Sequence, residues 1–378
     1  MKITASTGAI ADAFVLAASL SADDKCAKKI ATLEAIRIKT ADSAALVSGN
    51  ILDHAVSITV PATIEIPGEL AVSGSRLAAL ANGFARTETI MITAEGKTAR
   101  VDCSRSRFKL ATIPLDDLPP MLRLVDETGN VELAREQVLK FCKGTTFAIS
   151  ADKAQYYLAG LFLHDAEDGL AAVATDGHRL ARVVVPDVSG LSSDAHLVIP
   201  AAAVKIVTKL LADRSSERVT LRRSRTLIAV ETAKAAFISK LIDATFLDYN
   251  RVMPEASGNA VTIARAELAQ ALERVKAVLV DDRQPVVGFS WGEEDPLLHL
   301  SSTDNSDAAD DVILCEDATG TGRVAMQIGM LMDLLNAHAG KRIRFDSRNG
   351  ADPVLITDPD YRDFTALQMP CNRTRAAA

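Results

Sequence analysis

The strongest constraint on the fold is a threefold recurrence: three segments of the 378-residue chain repeat one pattern at a spacing of roughly 125 residues. Each holds a short helix with apolar residues three and four positions apart, from Ser75 to Ala85, Pro200 to Asp213 and Gly329 to Ala339. Alternating, strand-like runs follow each helix. They cover Thr89 to Thr93, Thr98 to Cys103 and Arg107 to Ile113, then Arg218 to Arg222, Leu227 to Glu231 and Ala236 to Ile242, then Arg342 to Phe345, Val354 to Thr357 and Phe364 to Met369. A second set of helices opens each repeat, from Ala9 to Leu20, Arg135 to Phe147 and Arg265 to Leu279, the last with Leu268, Leu272, Val275 and Leu279 on one face. The predicted fold is α+β, with three similar domains, each two helices against antiparallel sheet of about eight short strands. Pro119-Pro120 and Pro254 punctuate the junctions, which predicts domains at 1–125, 126–254 and 255–378.

With 48% hydrophobic and 24% charged residues, the chain can bury real cores, which excludes wholesale disorder. One Trp and four Tyr leave little material for stacking single-stranded nucleic acid. Cys26, Cys103, Cys142, Cys315 and Cys371 are odd in number, scattered and never paired as Cys-x-x-Cys, so neither a disulfide framework nor a zinc knuckle is expected, and a reduced, intracellular protein is. The run Ala9 to Ala22 after Lys2 imitates a signal peptide, but Asp12 interrupts it and Ile10, Phe14, Ala17 and Ala18 fit one helix face. No stretch of eighteen uninterrupted apolar residues predicts a membrane span.

Charge is divided unevenly: the net charge of −7 splits into +1, 0 and −8 over the three predicted domains. The acidity lies in Glu293-Glu294-Asp295, Asp304, Asp307 and Asp310-Asp311, while helices of the first two domains carry Arg76, Arg86, Arg135, Lys140, Lys143, Lys205 and Lys209. If the helices share a surface, it is basic enough to face a phosphate backbone without base-specific contacts; ordinary solvated helix faces would read the same way.

The most unusual string is Ala174-Thr175-Asp176-Gly177-His178-Arg179-Leu180, a polar turn between two apolar runs. Asp176 beside His178 has the chemistry of a base with its orienter, or of two metal ligands. Yet no Ser or Cys nucleophile context accompanies them, and His54, His164, His196, His299 and His338 are scattered, so a local turn with Gly177 supplying backbone freedom fits better. The glycines at 320 and 322 lack the Lys-Ser/Thr of a phosphate loop.

The string ATDGHRLA at 174–181 stands with Tyr156-Tyr157-Leu158-Ala159-Gly160, with Ser239-Lys240-Leu241-Ile242-Asp243, and with Phe246, Asp248, Tyr249, Arg251 and Val252. Together with Met1-Lys2-x-Thr4, Ser106-Arg107-Phe108 followed by Leu110 and Pro114, and Met369-Pro370, it resembles the bacterial DNA polymerase III beta subunit along the whole chain. The resemblance implies a DNA clamp fold and a head-to-tail homodimer closing a ring of six domains, helices inside and strands outside. It implies a cytoplasmic accessory subunit without catalysis, cofactor or metal, encircling duplex DNA without sequence preference. Its partners would be the replicative polymerase, the clamp loader and repair polymerases, with no membrane. They would dock short peptides into a groove lined by Leu158, Thr175, Gly177, His178, Arg179, Leu180, Leu247, Arg251, Val252, Leu367, Met369 and Pro370. The closing edge would set Arg76, Phe108 and Leu110 of one subunit against Val278, Leu279, Asp307, Asp310 and Asp311 of the other. For DNA the resemblance adds Lys25, Lys28, Lys29, Lys153, Gln155, Tyr156 and Tyr157 to the helix cations above. A monomeric paralogue that only sequesters partner peptides is the alternative.

Three departures accompany the resemblance. Leu247 stands where the family usually has Pro; the ending Met369-Pro370-Cys371-Asn372 replaces Met-Pro-Met-Arg and continues through Arg373 and Arg375; and the first helix carries no Lys or Arg. A peptide preference shifted from the family's is therefore expected.

Overall fold

A computed structural model describes residues 1–22, 26, 29–191, 197–279, 284–304 and 307–371, and every structural statement below concerns these. The helices are α1 (Thr7–Ala22), α2 (Ala31–Glu34), α3 (Gly74–Asn82), α4 (Arg135–Thr145), α5 (Ala201–Leu210), α6 (Arg265–Val278) and α7 (Ile328–Ala337). All six predicted helices form, with ends displaced by a few residues; the stretch expected to reach Phe147 leaves α geometry at Thr145 and closes in a 3-10 turn, Thr146–Ala148.

Two compact units organise the chain: residues 1–139, 190–192 and 199–243 in one, 140–189, 193–198 and 244–378 in the other. The middle third is divided between them because the sheets run through the repeat junctions. In the first unit a twelve-stranded antiparallel sheet runs β8 (Ser106–Ala111), β7 (Thr98–Cys103), β6 (Thr89–Glu95), β1 (Lys2–Ser6), β4 (His54–Ile66), β16 (Ala235–Lys240), β15 (Leu227–Glu231), β14 (Arg218–Arg223) and β9 (Gly129–Ala134). The remaining members are β2 (Ala35–Ala41), β3 (Ala44–Asn50) and β5 (Glu69–Ser73). The link between repeats is the pairing of β4 with β16, Val56 opposite Phe237. Alternation decides the core: in β7 every second residue is buried, and Ile3, Ile90, Ile92 and Val101 are closed off from solvent, as are Ile10 and Phe14 of α1. Gly49 of β3 lets α1 approach, since a Cβ there would meet the Ala17 carbonyl at 2.7 Å.

In the second unit a nine-stranded sheet runs β13 (Val198–Pro200), β10 (Gly160–Ala166), β11 (Gly169–Thr175), β12 (Arg179–Val185), β25 (Phe364–Gln368), β24 (Val354–Thr357), β23 (Arg342–Asp346), β17 (Ala260–Ala264) and β21 (Asp317–Thr319). A four-stranded sheet orders β20 (Asp307–Leu314), β19 (Asp295–Asp304), β18 (Val286–Gly292) and β22 (Thr321–Gln327). Here β12 and β25 join the repeats, Leu180 opposite Leu367. β11 is buried along its whole length, as expected of a strand covered on both faces. One of those faces packs Ala174 and Ala181 against Phe147, Ala148 and Ile149.

Candidate functional site

The covered face of β10, β11 and β12 opposite Phe147 carries the candidate site, and strand period and register say which side chains share it. Leu180 and Arg182 alternate onto one face of β12. Their partners across the ladders are Thr175 and Val173 on β11, and Leu367 on β25 lies opposite Leu180. Phe162 of β10 pairs with Val173 and His164 with Ala171, so both look the same way. Over this face lies the segment from Phe246 to Val252, closing in a 3-10 turn (Tyr249–Val252). Phe246 stacks on Phe162 with ring centroids 4.7 Å apart, and the Tyr249 hydroxyl lies 3.1 Å from His164 Nε2 and 3.3 Å from Arg182 Nε.

The turn between β11 and β12 is held by its own side chains. The Asp176 carboxylate accepts from the backbone N–H groups of His178 (2.9 Å) and Arg179 (3.0 Å) and from Arg179 Nε (2.9 Å). The Thr175 hydroxyl donates to the Arg179 carbonyl (2.7 Å) and accepts from the Gly177 N–H (3.1 Å). Gly177 has φ +87°, a conformation that costs little only without a Cβ, and a Cβ there would meet nothing within 4 Å. The His178 carbonyl accepts from Met369 N–H (2.8 Å), bringing the end of β25 to the turn.

The result is an apolar floor, Thr175, Leu180 and Leu367, flanked by rim residues. Val252 is 48% and Met369 42% exposed; Gly177, His178 and Arg251 are also exposed, and Leu247 and Pro370 are half-buried. Leu158 is buried where its 3-10 turn meets β10, its carbonyl accepting from Ser150 N–H. Arg179 departs from the expectation that it lines the groove. Its guanidinium lies 5.5 Å from the Phe147 ring, toward the opposite face of the sheet, and donates to Asp176, Asp333 and the Met330 carbonyl, so it braces the turn.

The expected DNA-facing cations divide. Lys29, Arg76, Lys143, Lys153, Lys205 and Lys209 are exposed, as is Tyr156, whose ring meets Tyr157 edge-on at 6.0 Å, while Gln155 is half-buried. Lys25 and Lys28 lie outside the described residues. Arg86 is paired with Asp12 at 2.5 Å, which holds its guanidinium above the usual range through the hydrogen bond and the charge. Lys140 is paired with Asp363 and lies 5.5 Å from the centre of the Tyr361 ring. Arg135 does not offer a free cation: its side chain is largely buried, donating to the Leu211 carbonyl (2.6 Å) and pairing with Glu136. It ties α4 to the end of α5.

The residues expected at a subunit edge lie beside two terminal strands. β8 ends the twelve-stranded sheet and β20 ends the four-stranded one. Beside β8, Phe108 stands exposed with its ring 5.9 Å from Phe84; Leu110 is half-buried and Arg76 exposed. On β20, Asp307 and Asp310 are exposed and Asp311 is paired with Arg274 of α6 at 2.7 Å. Val278 is exposed, but Leu279 is buried, completing the apolar face of α6 with Leu268, Leu272 and Val275, and is withdrawn from any partner. Sequence reasoning missed Arg107, whose side chain is 86% exposed, with Lys109, Val312 and Leu314, all exposed on the same two strands. Their signal was the placing of Arg107 and Lys109, and of Val312 and Leu314, two residues apart on one face of each short strand.

Comparison with known proteins extends along the chain. Family profiles of the DNA polymerase III beta subunit match in order: the N-terminal domain over residues 1–122, the central domain over 132–248 and the C-terminal domain over 250–372. The chain belongs to the DNA polymerase III beta subunit family. The beta sliding clamp of Pseudomonas aeruginosa is 27% identical over 310 residues, 80% of this chain and 82% of that protein. The solved Caulobacter crescentus polymerase III beta superposes with a TM-score of 0.86 at 24% identity, covering 98% of this chain and all of that one. A Bartonella birtlesii sliding clamp bound to griselimycin gives 0.87 at 24% identity, over 98% and 99%.

The chain is therefore three similar α+β domains, and its function is that of a processivity factor on DNA, an accessory of the polymerase without catalysis of its own. The geometry at Asp176 agrees with that role. Its carboxylate is engaged by backbone N–H groups and Arg179, so it orders the turn and does not orient the His178 imidazole. No described helix of the chain is long and apolar enough to cross a membrane.

Proposed function

We propose that two copies close head to tail into a six-domain ring around duplex DNA, with domain boundaries near residues 125 and 254, and that the face bearing Leu180 and Leu367 takes short peptides from partners. The observation that carries the ring is that β8 and β20 each have a single ladder neighbour among the described residues. β8 offers Arg107, Lys109 and the Phe108 ring; β20 offers Asp307, Asp310, Val312 and Leu314. Unpaired edges invite strand addition, and opposite charges select this pairing over like-with-like. A head-to-tail contact that closes makes a ring; one that does not makes a fibre. Encirclement then lets Lys29, Arg76, Lys143, Lys153, Lys205 and Lys209 contact phosphates weakly, so the ring slides without leaving.

Apolar floor and half-exposed rim suit a linear peptide held by a few anchors, which allows the polymerase, a clamp loader and repair polymerases to exchange on one cytoplasmic ring. Light scattering across a dilution series tests the ring: the chain weighs 40.2 kDa, and a species of about twice that mass must persist on dilution. A monomer throughout would leave peptide sequestration as the function.

A further inference from the structure

We propose that Tyr249 is a positioning residue for the peptide groove, and that its grip depends on His164 remaining neutral, so that partner peptides bind more weakly in acid. The inference rests on the reading of this face as the peptide site.

Hydrogen-bond direction follows from the donors available. His164 Nδ1 lies 3.2 Å from the carbonyl oxygen of Asp165, which can only accept, so Nδ1 carries the proton. His164 Nε2 is then the bare nitrogen, and the Tyr249 hydroxyl, 3.1 Å away, donates to it. The Tyr249 oxygen accepts from Arg182 Nε at 3.3 Å, and Arg182 is held from its other side by Asp168 at 2.6 Å. Every donor in this chain has an acceptor and its direction is unique. Tyr249 and Phe246 are buried, and the Phe246 ring stacks on Phe162, which in turn stacks on His164 at 4.5 Å. The segment is thus fastened at Phe246 and Tyr249, while Arg251 and Val252 beyond them are exposed and Leu247 between them is half-buried, forming the groove's wall.

Protonation of His164 breaks the direction of the chain. Nε2 would become a donor aimed at a hydroxyl that already receives Arg182, and two cations would share one oxygen. The charged and titratable groups facing His164 are Arg182, Asp165, Asp168 and Tyr249. Burial first, then the Arg182 charge, hold the imidazole below its ordinary range against the pull of the two aspartates. It is neutral at pH 7.5 and takes a proton only below the ordinary imidazole range.

The test is the affinity of a fluorescent peptide carrying the replicative polymerase's clamp-binding segment, titrated at pH 7.5 and pH 5. Wild type should lose about three- to tenfold on acidification, the scale of one hydrogen bond. His164→Gln, whose amide oxygen replaces the accepting nitrogen without titrating, should bind equally well at pH 7.5 and pH 5, whatever its affinity at pH 7.5. Tyr249→Phe should bind about three- to tenfold more weakly at both. An equal acid loss in His164→Gln would assign the effect to another group and overturn the proposal, as would wild-type binding by Tyr249→Phe. Absence of binding by wild type at pH 7.5 would instead remove the groove reading itself. Hydrogen exchange separates the two failures without any peptide: Tyr249→Phe must speed exchange across residues 246–252, and unchanged protection there sinks the positioning role even if the groove stands.

Discussion

His338 Nε2 and Asp358 Oδ2 lie 2.7 Å apart, with side chains 3% and 0% exposed. The pair fastens the end of α7 to the loop before β25. Gly340 makes room for it, since a Cβ there would overlap the Asp358 carboxylate. Burial outweighs the neighbouring carboxylate and pushes the His338 imidazole below its ordinary range. The unfolded chain binds a proton at about pH 6.5 and the folded one only lower, so stability is complete above that value and is lost as pH falls toward the folded one. Urea unfolding at pH 7.5 should show His338→Ala less stable by about 3 kcal/mol, because a buried carboxylate is left short of a donor.

Arg179 makes a second stability prediction with a binding consequence. Its planar fork serves Asp176, Asp333 and the Met330 carbonyl at once. Arg179→Lys presents a single point donor and should not rescue the loss in Arg179→Ala. Both should lower the melting temperature and weaken peptide binding together. Full affinity in Arg179→Ala would show that the turn orders itself through Asp176 and the backbone alone.

Much of the fold was legible because period and punctuation carry it: Thr98–Cys103, Leu227–Glu231 and Val354–Thr357 have the bounds their alternation predicts. Leu279 shows where two kinds of reading conflict. Helical spacing put it on the buried face of α6 and resemblance put it at a subunit edge, and burial decided for the spacing. Arg135 was illegible for a different reason: the Leu211 carbonyl it caps lies 76 residues away in sequence, and no local pattern announces that contact. Tyr249 could be seen as part of a motif, but its partners are set by sheet register, which only the fold supplies.

Cys315 offers a chemical check on the second unit. Burial, then the charge of Asp295, push its thiol up to about 11. An ordinary cysteine near 8.5 is substantially thiolate at pH 8, whereas Cys315 holds on the order of one part in a thousand. Iodoacetamide at pH 8 should therefore modify Cys315 about a hundredfold more slowly than a free cysteine, as read by peptide mass spectrometry. Rapid modification would mean that β20 and β19 open around it.

The strand edges give the sharpest test of assembly. Arg107 on β8 reaches solvent almost fully, its nearest acid being Asp102 at 3.7 Å, and Asp310 stands exposed on β20. Arg107→Glu should weaken the dimer by about tenfold at low salt, and less at high salt, because exposed charges are screened. Asp310→Arg should do the same. Combined, the two restore opposite charges with the sign exchanged, and the dimer should recover most of its strength in sedimentation equilibrium. Recovery requires the two positions to face each other across the contact, which simple loss of a favourable surface charge does not. If the double variant is as weak as the sum of the singles, β8 and β20 do not meet, and the head-to-tail closure must use other surfaces.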